Sequence, residues 1–418
     1  KELLQFISEG LVHEHPRVRY MALIFFGNLL TETAPKPQKE YTNNILPGIA
    51  KLLTDNEKSL RVKASACLAL NYFLAGLISK NKNVENNIQI LSPYINDLIT
   101  LIMNVFENSL NISYEPLQSK SLECLSLLSN IHEKNFSPYY SKIMPGLKKL
   151  YFGLETKTEQ QKQLKTNCIN TIGYLFSGIN EEYEKYKQDF KEISEAFVNS
   201  LDILPEEDPQ IVAIIEAFIS ISYGMNYSDF EPIFKKLFSY LSKYISADIG
   251  LTLKDADVDE YIPDEDEKKE GVGSVVFNYG VKSKKISVNT FALQLKIVSF
   301  ESLNEMALNL GESFKPYIEQ YLELAKNLLS FAFSRKIRKT AIKCIYTCTN
   351  ACSNNDERKK VFELIINDLL SLLNFDITSK FFKDMKCIIK YIGKSINLYN
   401  EKINIDSNII EKIFETLK

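Results

Sequence analysis

With 418 residues, 45% of them hydrophobic and 25% charged, the chain has material for an extensive core, which excludes wholesale disorder. Its 50 Lys and Arg nearly balance 53 Asp and Glu, and a net charge of −3 excludes a general basic grip on nucleic acid. The 15 Gly and 13 Pro, about 7% of the chain against roughly 12% in average proteins, favour helix over sandwich, barrel or collagen-like folds.

The first predicted helix with a clear face carries Val18, Ala22, Phe25, Phe26 and Leu29. These offsets of 0, 4, 7, 8 and 11 put five apolar side chains on one side of a helix with 3.6 residues per turn. They recur as Val62, Ala66, Ala69, Leu70 and Phe73, and again from Leu117, Leu164, Ile211, Ile337 and Phe381, with a weaker copy from Phe291. Successive copies are separated by 44, 55, 47, 47, 80, 46 and 44 residues, a period near 45 with two insertions. Basic residues such as Arg17, Arg19, Arg61, Lys63, Lys165, Lys336 and Arg338 flank the first apolar position.

A second helical pattern lies between the copies and is often opened by an aromatic residue and a proline, as in Phe136-Ser137-Pro138-Tyr139, Phe230-Glu231-Pro232-Ile233 and Phe314-Lys315-Pro316-Tyr317. Proline suits a first turn because the N–H it lacks has no intrahelical partner there. Each repeat is therefore a helix A, a turn and a helix B that carries the five-residue template. A two-helix unit cannot bury its apolar stripe alone, so the predicted fold is an all-α HEAT-repeat superhelical solenoid of about nine pairs. The last pair, from about Ser407, stops after one helix, and a stack that ends there would leave an apolar face.

The 55-residue step holds a polar connection, 79–87. The 80-residue step holds an insertion over 251–285, which divides the chain into repeats 1–250, the insertion, and repeats 286–418. Within it Asp255, Asp257, Asp259, Glu260, Asp264, Glu265, Asp266 and Glu267 are eight acids in thirteen residues without a base. Such a block repels itself and is expected to stay extended or mobile. A short Val275-Val276-Phe277 run and Lys282, Lys284 and Lys285 follow. One reading is a solubilising loop; the other is an electrostatic site for a lysine-rich partner.

Other chemistry finds little support. Cys344, Cys348 and Cys352 sit at i, i+4 and i+8, but the template aligns them with Ala69, Phe73 and Leu77, which are core positions, so no metal site is expected. The seven Cys form no disulfide framework and suit a reducing compartment. His13, His15 and His132 are the only histidines and suit turn or cap roles. There is no GxxxxGK phosphate loop, and Gly271-Val272-Gly273 alone is too weak a signal. The chain is expected to be no enzyme and to need no cofactor. Charge-free apolar runs such as 20–30 fall short of the eighteen or so residues of a membrane span, so no membrane insertion is expected. A start at Lys1 without Met or a signal segment suggests an internal piece of a longer protein.

His15-Pro16-Arg17-Val18-Arg19-Tyr20, Thr33-Ala34-Pro35, Phe136-Ser137-Pro138-Tyr139-Tyr140 with Met144-Pro145, and Glu206-Glu207-Asp208-Pro209-Gln210-Ile211 resemble the importin-β superfamily, in particular its importin beta-3 or importin-5 type. The likeness runs through the whole chain and matches the middle of that family's longer proteins. It implies a nuclear transport receptor shuttling between cytoplasm and nucleus. Import cargo with lysine-rich signals would bind a concave face of B helices, FG-repeat nucleoporins the convex A helices, and Ran-GTP would release the cargo through contacts that lie mainly in other repeats. It also implies a right-handed superhelix, with small rotations between repeats coupling Ran to cargo. The cargo residues it suggests are Glu123, Asn130, Asn167, Asn170 and Glu216 on B helices, with the insertion acids. The family's acidic loop commonly holds a tryptophan; this chain has none, and Tyr261 would stand in only partly. The alternative is a HEAT-repeat scaffold or regulatory subunit that organises another complex, for which more even repeats near forty residues would be typical. Nucleic-acid binding would instead need a continuous basic stripe on the concave face, which the acidic loop opposes.

Overall fold

The computed structural model describes residues 2–54, 56–78, 89–112, 114–132, 136–256, 272–279, 282–372 and 384–398. The chain forms two compact units, one of Lys1–Phe190 with Asp208–Gly224, the other of Lys191–Glu207 with Met225–Lys418. Both are built of HEAT-type helix pairs.

In the first unit the helices are α1 (Glu2–Leu11), α2 (Pro16–Glu32), the short α3 (Lys36–Glu40), α4 (Thr42–Leu53), α5 (Leu60–Ile78), α6 (Ile95–Ile112), α7 (Glu115–His132), α8 (Ser137–Gly153), α9 (Glu159–Gly178) and α11 (Pro209–Gly224); the unit boundary falls inside α10 (Tyr183–Ser200). The B helices α2, α5, α7, α9 and α11 lie side by side in chain order. The A helices α1, α4, α6 and α8 each pack on the B helix that follows. The repeated apolar positions are what bring the B helices together: Val62, Ala66, Leu70 and Phe73 in α5, Leu117, Cys124, Leu125 and Leu128 in α7, and Leu164, Cys168 and Ile172 in α9 are all at most 2% exposed. Each large aliphatic side chain so buried contributes about 1.5–3 kcal/mol. Small residues set the closest crossings. A Cβ on Gly173 of α9 would sit 3.1 Å from both Cα and Cβ of Ala217 in α11.

Helix ends follow the sequence signals. Thr158 caps α9 in a reciprocal box with Gln161. His15 Nδ1 accepts from Arg17 N at the start of α2, and His132 ends α7, as the cap reading of the histidines expects. Half-burial at that end lowers the His132 pKa.

The second unit contains α12 (Tyr227–Ser246), α13 (Thr290–Leu310), a 3₁₀ segment (Gly311–Tyr317), α14 (Ile318–Leu328), α15 (Arg335–Asn350), α16 (Asn355–Ser371) and α17 (Met385–Ile396). Its B helices α13, α15 and α17 again adjoin in order. Phe234, Phe238, Phe314 and Tyr317 form an aromatic cluster between the A helices. The buried Asn304 carboxamide oxygen accepts from Tyr321 at 2.9 Å and from Thr347 at 2.8 Å. Cys344 and Cys348 are buried along α15 and Cys352 just past its end, as the template places them, and burial raises each thiol pKa.

Three expectations need correction. Of the acidic run 255–267, expected to be extended or mobile, only residues 255 and 256 are described; they close β1 (Thr252–Ala256), which with β2 (Val272–Tyr279) and β3 (Lys282–Asn289) forms a three-stranded antiparallel sheet in the order β1-β3-β2 that the all-helical reading did not foresee. Asp255 lies in β1 with its backbone opposite Lys284 of β3. The β-branched residues of β2 and β3 favour this pairing. Asp257, Asp259, Glu260, Asp264, Glu265, Asp266 and Glu267 fall outside the described residues, as do Tyr261, 79–87, Phe381 and Ser407 onward.

The second correction concerns proline. Pro138 stands in the first turn of α8, as expected, but α12 begins at Tyr227 and holds Pro232 as its sixth residue. The N–H lost there would have bonded Ser228. The extra turn persists because Phe230 and Phe234 are fully buried, and packing outweighs one missing bond. Third, Val18 and Phe25 are 39% and 45% exposed, although the template makes them core. Leu23, Phe26, Gly27 and Leu30 are the buried residues of α2, and Val18, Met21 and Phe25 instead line an open groove against Phe6 of α1. The helix α5 is long and apolar enough to cross a membrane by length and composition, although Arg61 and Lys63 leave it a charge-free run shorter than eighteen residues. Twelve of its residues are buried in the unit, which accounts for its apolarity as a core helix.

Candidate functional site

Positions on the B helices that stacking does not consume shape two adjoining grooves in the first unit. One, of about 400 Å³, lies across α5, α7 and α9 and is lined by Asn71, Tyr72, Lys120, Glu123, Asn167 and Tyr174. The other, of about 340 Å³, lies between α9 and α11 and is lined by Asn170, Gly173, Tyr174, Glu216 and Ser220. Asn170 and Tyr174 border both. The repeat explains this alignment. Glu123 and Asn170 each stand six residues after the first template position of their helix, Leu117 and Leu164, and so meet the same part of neighbouring helices.

The Glu123 carboxylate is the best-held group. Asn71 Nδ2 of α5 donates to one oxygen at 3.0 Å and Asn167 Nδ2 of α9 to the other at 3.1 Å, so both flanking helices fix it. Lys120 Nζ bridges the two oxygens at 2.7 and 2.9 Å. Asn167 also donates to Ser119 Oγ at 2.8 Å and accepts from Gln163 at 3.0 Å. A carboxylate offers about four acceptor sites, and these contacts use them all.

Glu216 has an exposed edge, but the packing around it removes water and raises its pKa above the ordinary glutamate value. Tyr174 is raised for the same reason, with a further contribution from the nearby Glu216 charge. The structure thus brings Glu123 and Asn167 into direct contact and places Asn170 and Glu216 in the adjacent groove. Asn130 lies at the exposed C-terminal end of α7, outside both grooves. Asn71, Tyr72, Lys120 and Tyr174 were missed from the sequence. The repeat does signal Lys120, which like Asn167 stands three residues after its helix's first template position.

The arrangement suits ammonium groups. Fixed carboxylate and amide oxygens supply acceptors, and the tyrosine rings supply faces for cations and aliphatic stems. Among the described residues no group of His, Cys, Asp and Glu has the arrangement of a metal site.

No protein-family model matches the chain. It is 25% identical over 407 residues to importin subunit beta-3 of Saccharomyces cerevisiae, covering 94% of this chain and 34% of that protein. It is also 25% identical over 236 residues to the probable importin-5 homologue of Dictyostelium discoideum, covering 56% of this chain and 19% of that one. The chain therefore spans about a third or less of the length of these relatives. Among solved structures it resembles Kap121p bound to Pho4p, with a TM-score of 0.71 and 19% identity, and Kap121p bound to Nup53p, with a TM-score of 0.68 and 19% identity. Each match covers 100% of this chain and 40% of the other, and the likeness is one of HEAT-repeat fold.

Proposed function

On the premise that the chain is a homologue of the importin-β superfamily, of the importin beta-3 and importin-5 type, we propose that it forms part of a nuclear transport receptor and binds the lysine-rich signals of import cargo on the B helices of its first unit. The observation that carries this reading is the Glu123 carboxylate, held from both sides by Asn71 and Asn167 and followed along the groove by Asn170, Tyr174 and Glu216.

An incoming lysine side chain lies against Tyr72 or Tyr174 and brings its ammonium to the fixed carboxylate. Every acceptor site of Glu123 is already in use, so the ammonium enters by displacing Lys120. Lys120 is the partner to leave because it is half-exposed and comes from the same helix, and such i,i+3 pairs contribute little. Glu216 offers the next lysine a carboxylate whose raised pKa drops once a cation arrives. The acidic run 255–267 is proposed as a second, long-range attractor that raises the encounter rate in a salt-dependent way. Ran-GTP-dependent release, contacts of FG-repeat nucleoporins with A helices, a non-enzymatic role and shuttling between cytoplasm and nucleus complete the proposal. Kap121p has been crystallised with Pho4p and with Nup53p, which supports a receptor for protein segments.

The test is titration of a labelled lysine-rich peptide onto the chain at low and high salt, with Glu123→Lys/Glu216→Lys and with the seven acids of 257–267 changed to amides. Binding that falls by roughly tenfold or more with the groove variant, and by less with the amide variant, supports the reading. Equal affinity for native chain and groove variant overturns it.

A further inference from the structure

The second unit carries a groove of opposite sign. It holds about 480 Å³ and lies across α13, α15 and α17. Arg335, Lys336, Lys339 and Lys343 of α15 face Lys386 and Lys390 of α17 across it, and Glu301 of α13 is the one acid in its lining.

Spacing makes this more than a solvated surface. Lys336, Lys339 and Lys343 recur at i, i+3 and i+7, and Lys386, Lys390 and Lys394 at i, i+4 and i+8, so each helix holds a stripe of like charge. Stacking the helices sets the two stripes side by side. Two of the cations lining the groove are paired within the unit: Arg335 with Asp384 at 2.9 Å and Lys343, weakly, with Glu305 at 3.7 Å. Lys336, Lys339, Lys386 and Lys390 have no carboxylate partner among the described residues. Lys394 lies over the rings of Tyr346 and Tyr391 at 5.3 and 5.6 Å, which holds the aromatic edge of the groove in place. Lys339, Lys343 and Lys390 also act on the Cys387 thiol at the groove floor, opposing the rise that burial causes. Clustered cations repel one another unless an anion lies between them.

We infer that this groove binds an extended acidic peptide segment, rich in Asp and Glu, with its carboxylates between the lysines of α15 and α17. Size and chemistry favour a peptide. Three neighbouring helices at 8–10 Å spacing span roughly 20 Å, which about six extended residues fill. A nucleic acid would call for a longer phosphate track and unengaged stacking rings, whereas Tyr346 and Tyr391 already face Lys394. The inference is independent of the lysine-signal site, which lies in the first unit and has the opposite polarity.

The experiment is fluorescence anisotropy of a labelled oligo-glutamate peptide with the 418-residue chain, at low and high salt, beside a lysine-rich peptide and a short oligo-dT of similar charge. The native chain is expected to bind oligo-glutamate in a salt-sensitive manner. Lys339→Glu/Lys390→Glu should weaken this by roughly tenfold or more while leaving the lysine-rich peptide unaffected, and Lys339→Arg/Lys390→Arg should retain it. Thermal melts check folding, and Lys339→Gln/Lys390→Gln, which relieves repulsion without reversing charge, gives the same loss in a chain at least as stable. Unchanged oligo-glutamate binding in the reversal and glutamine variants overturns the inference. So does tighter binding of oligo-dT than of oligo-glutamate through the same lysines.

Discussion

Glu123 in α7, Asn170 in α9 and Lys343 in α15 occupy one place in the repeat, six residues after Leu117, Leu164 and Ile337. In the first unit that place belongs to a network in which a carboxylate is met by amides from both neighbouring helices and by a lysine of its own. In the second it belongs to a row of cations with few carboxylates between them. The apolar template is the same in both, so the helix stack does not dictate what its grooves recognise. Core positions use the stacking face, and the few positions beside it are left to set sign and chemistry.

Several changes sharpen or break this contrast. The largest effect is expected from Asp384→Ala. Arg338 and Asp384 are 6% and 3% exposed and 2.8 Å apart, and removing the carboxylate takes the counter-charge from a buried guanidinium, at a cost of about 3–5 kcal/mol in denaturant unfolding. A comparable loss from Lys339→Gln would mean that the surface lysines, too, hold the unit together. Next comes Gly173→Ala, where the added Cβ meets Ala217 at 3.1 Å; overpacking of about 1–3 kcal/mol is expected, read as a lower urea midpoint.

Glu123→Ala should cost about 1–2 kcal/mol, because Asn71 and Asn167 each lose an acceptor, and should weaken the lysine-rich peptide as well. Lys120→Ala is smaller in stability, about 1 kcal/mol or less, and opposite in binding: with the internal competitor gone, the lysine-rich peptide should bind several-fold tighter. Weaker binding in that variant would break the displacement step.

The smallest effect concerns Glu216. Its folded pKa lies above the unfolded value, so folding favours the protonated form and the charged form carries a penalty at neutral pH. Glu216→Gln should therefore melt slightly higher than the native chain at pH 7, and the gain should vanish as pH falls below the ordinary glutamate value. A gain that grows on acidification would contradict the sign.

Much of the fold was legible because the helix period and the 45-residue repeat are carried by many positions at once, so single exceptions such as Ser121 or Thr171 do not blur them. The grooves were less legible. Glu123 and Asn167 were chosen singly, but their contact joins residues 44 apart, and its third member, Asn71, lies 52 residues from Glu123. The lysine stripes of α15 and α17 are plain in the sequence once the helices are drawn, yet their charge has meaning only when the stripes are adjacent. The sheet escaped because acid content dominated the reading of 251–285, while its strands lie on either side of the acidic run.

The sequence by itself determined the helix pairs, their period and the buried B-helix faces, since these follow from local periodicity repeated along the chain. Only the tertiary structure decided which polar residues meet, where Val18 and Phe25 stay open, and that one set of grooves is internally neutralised while the other gathers positive charge. Those outcomes depend on contacts between residues about one repeat apart, and pairing of that kind is set by how helices stack rather than by any one segment.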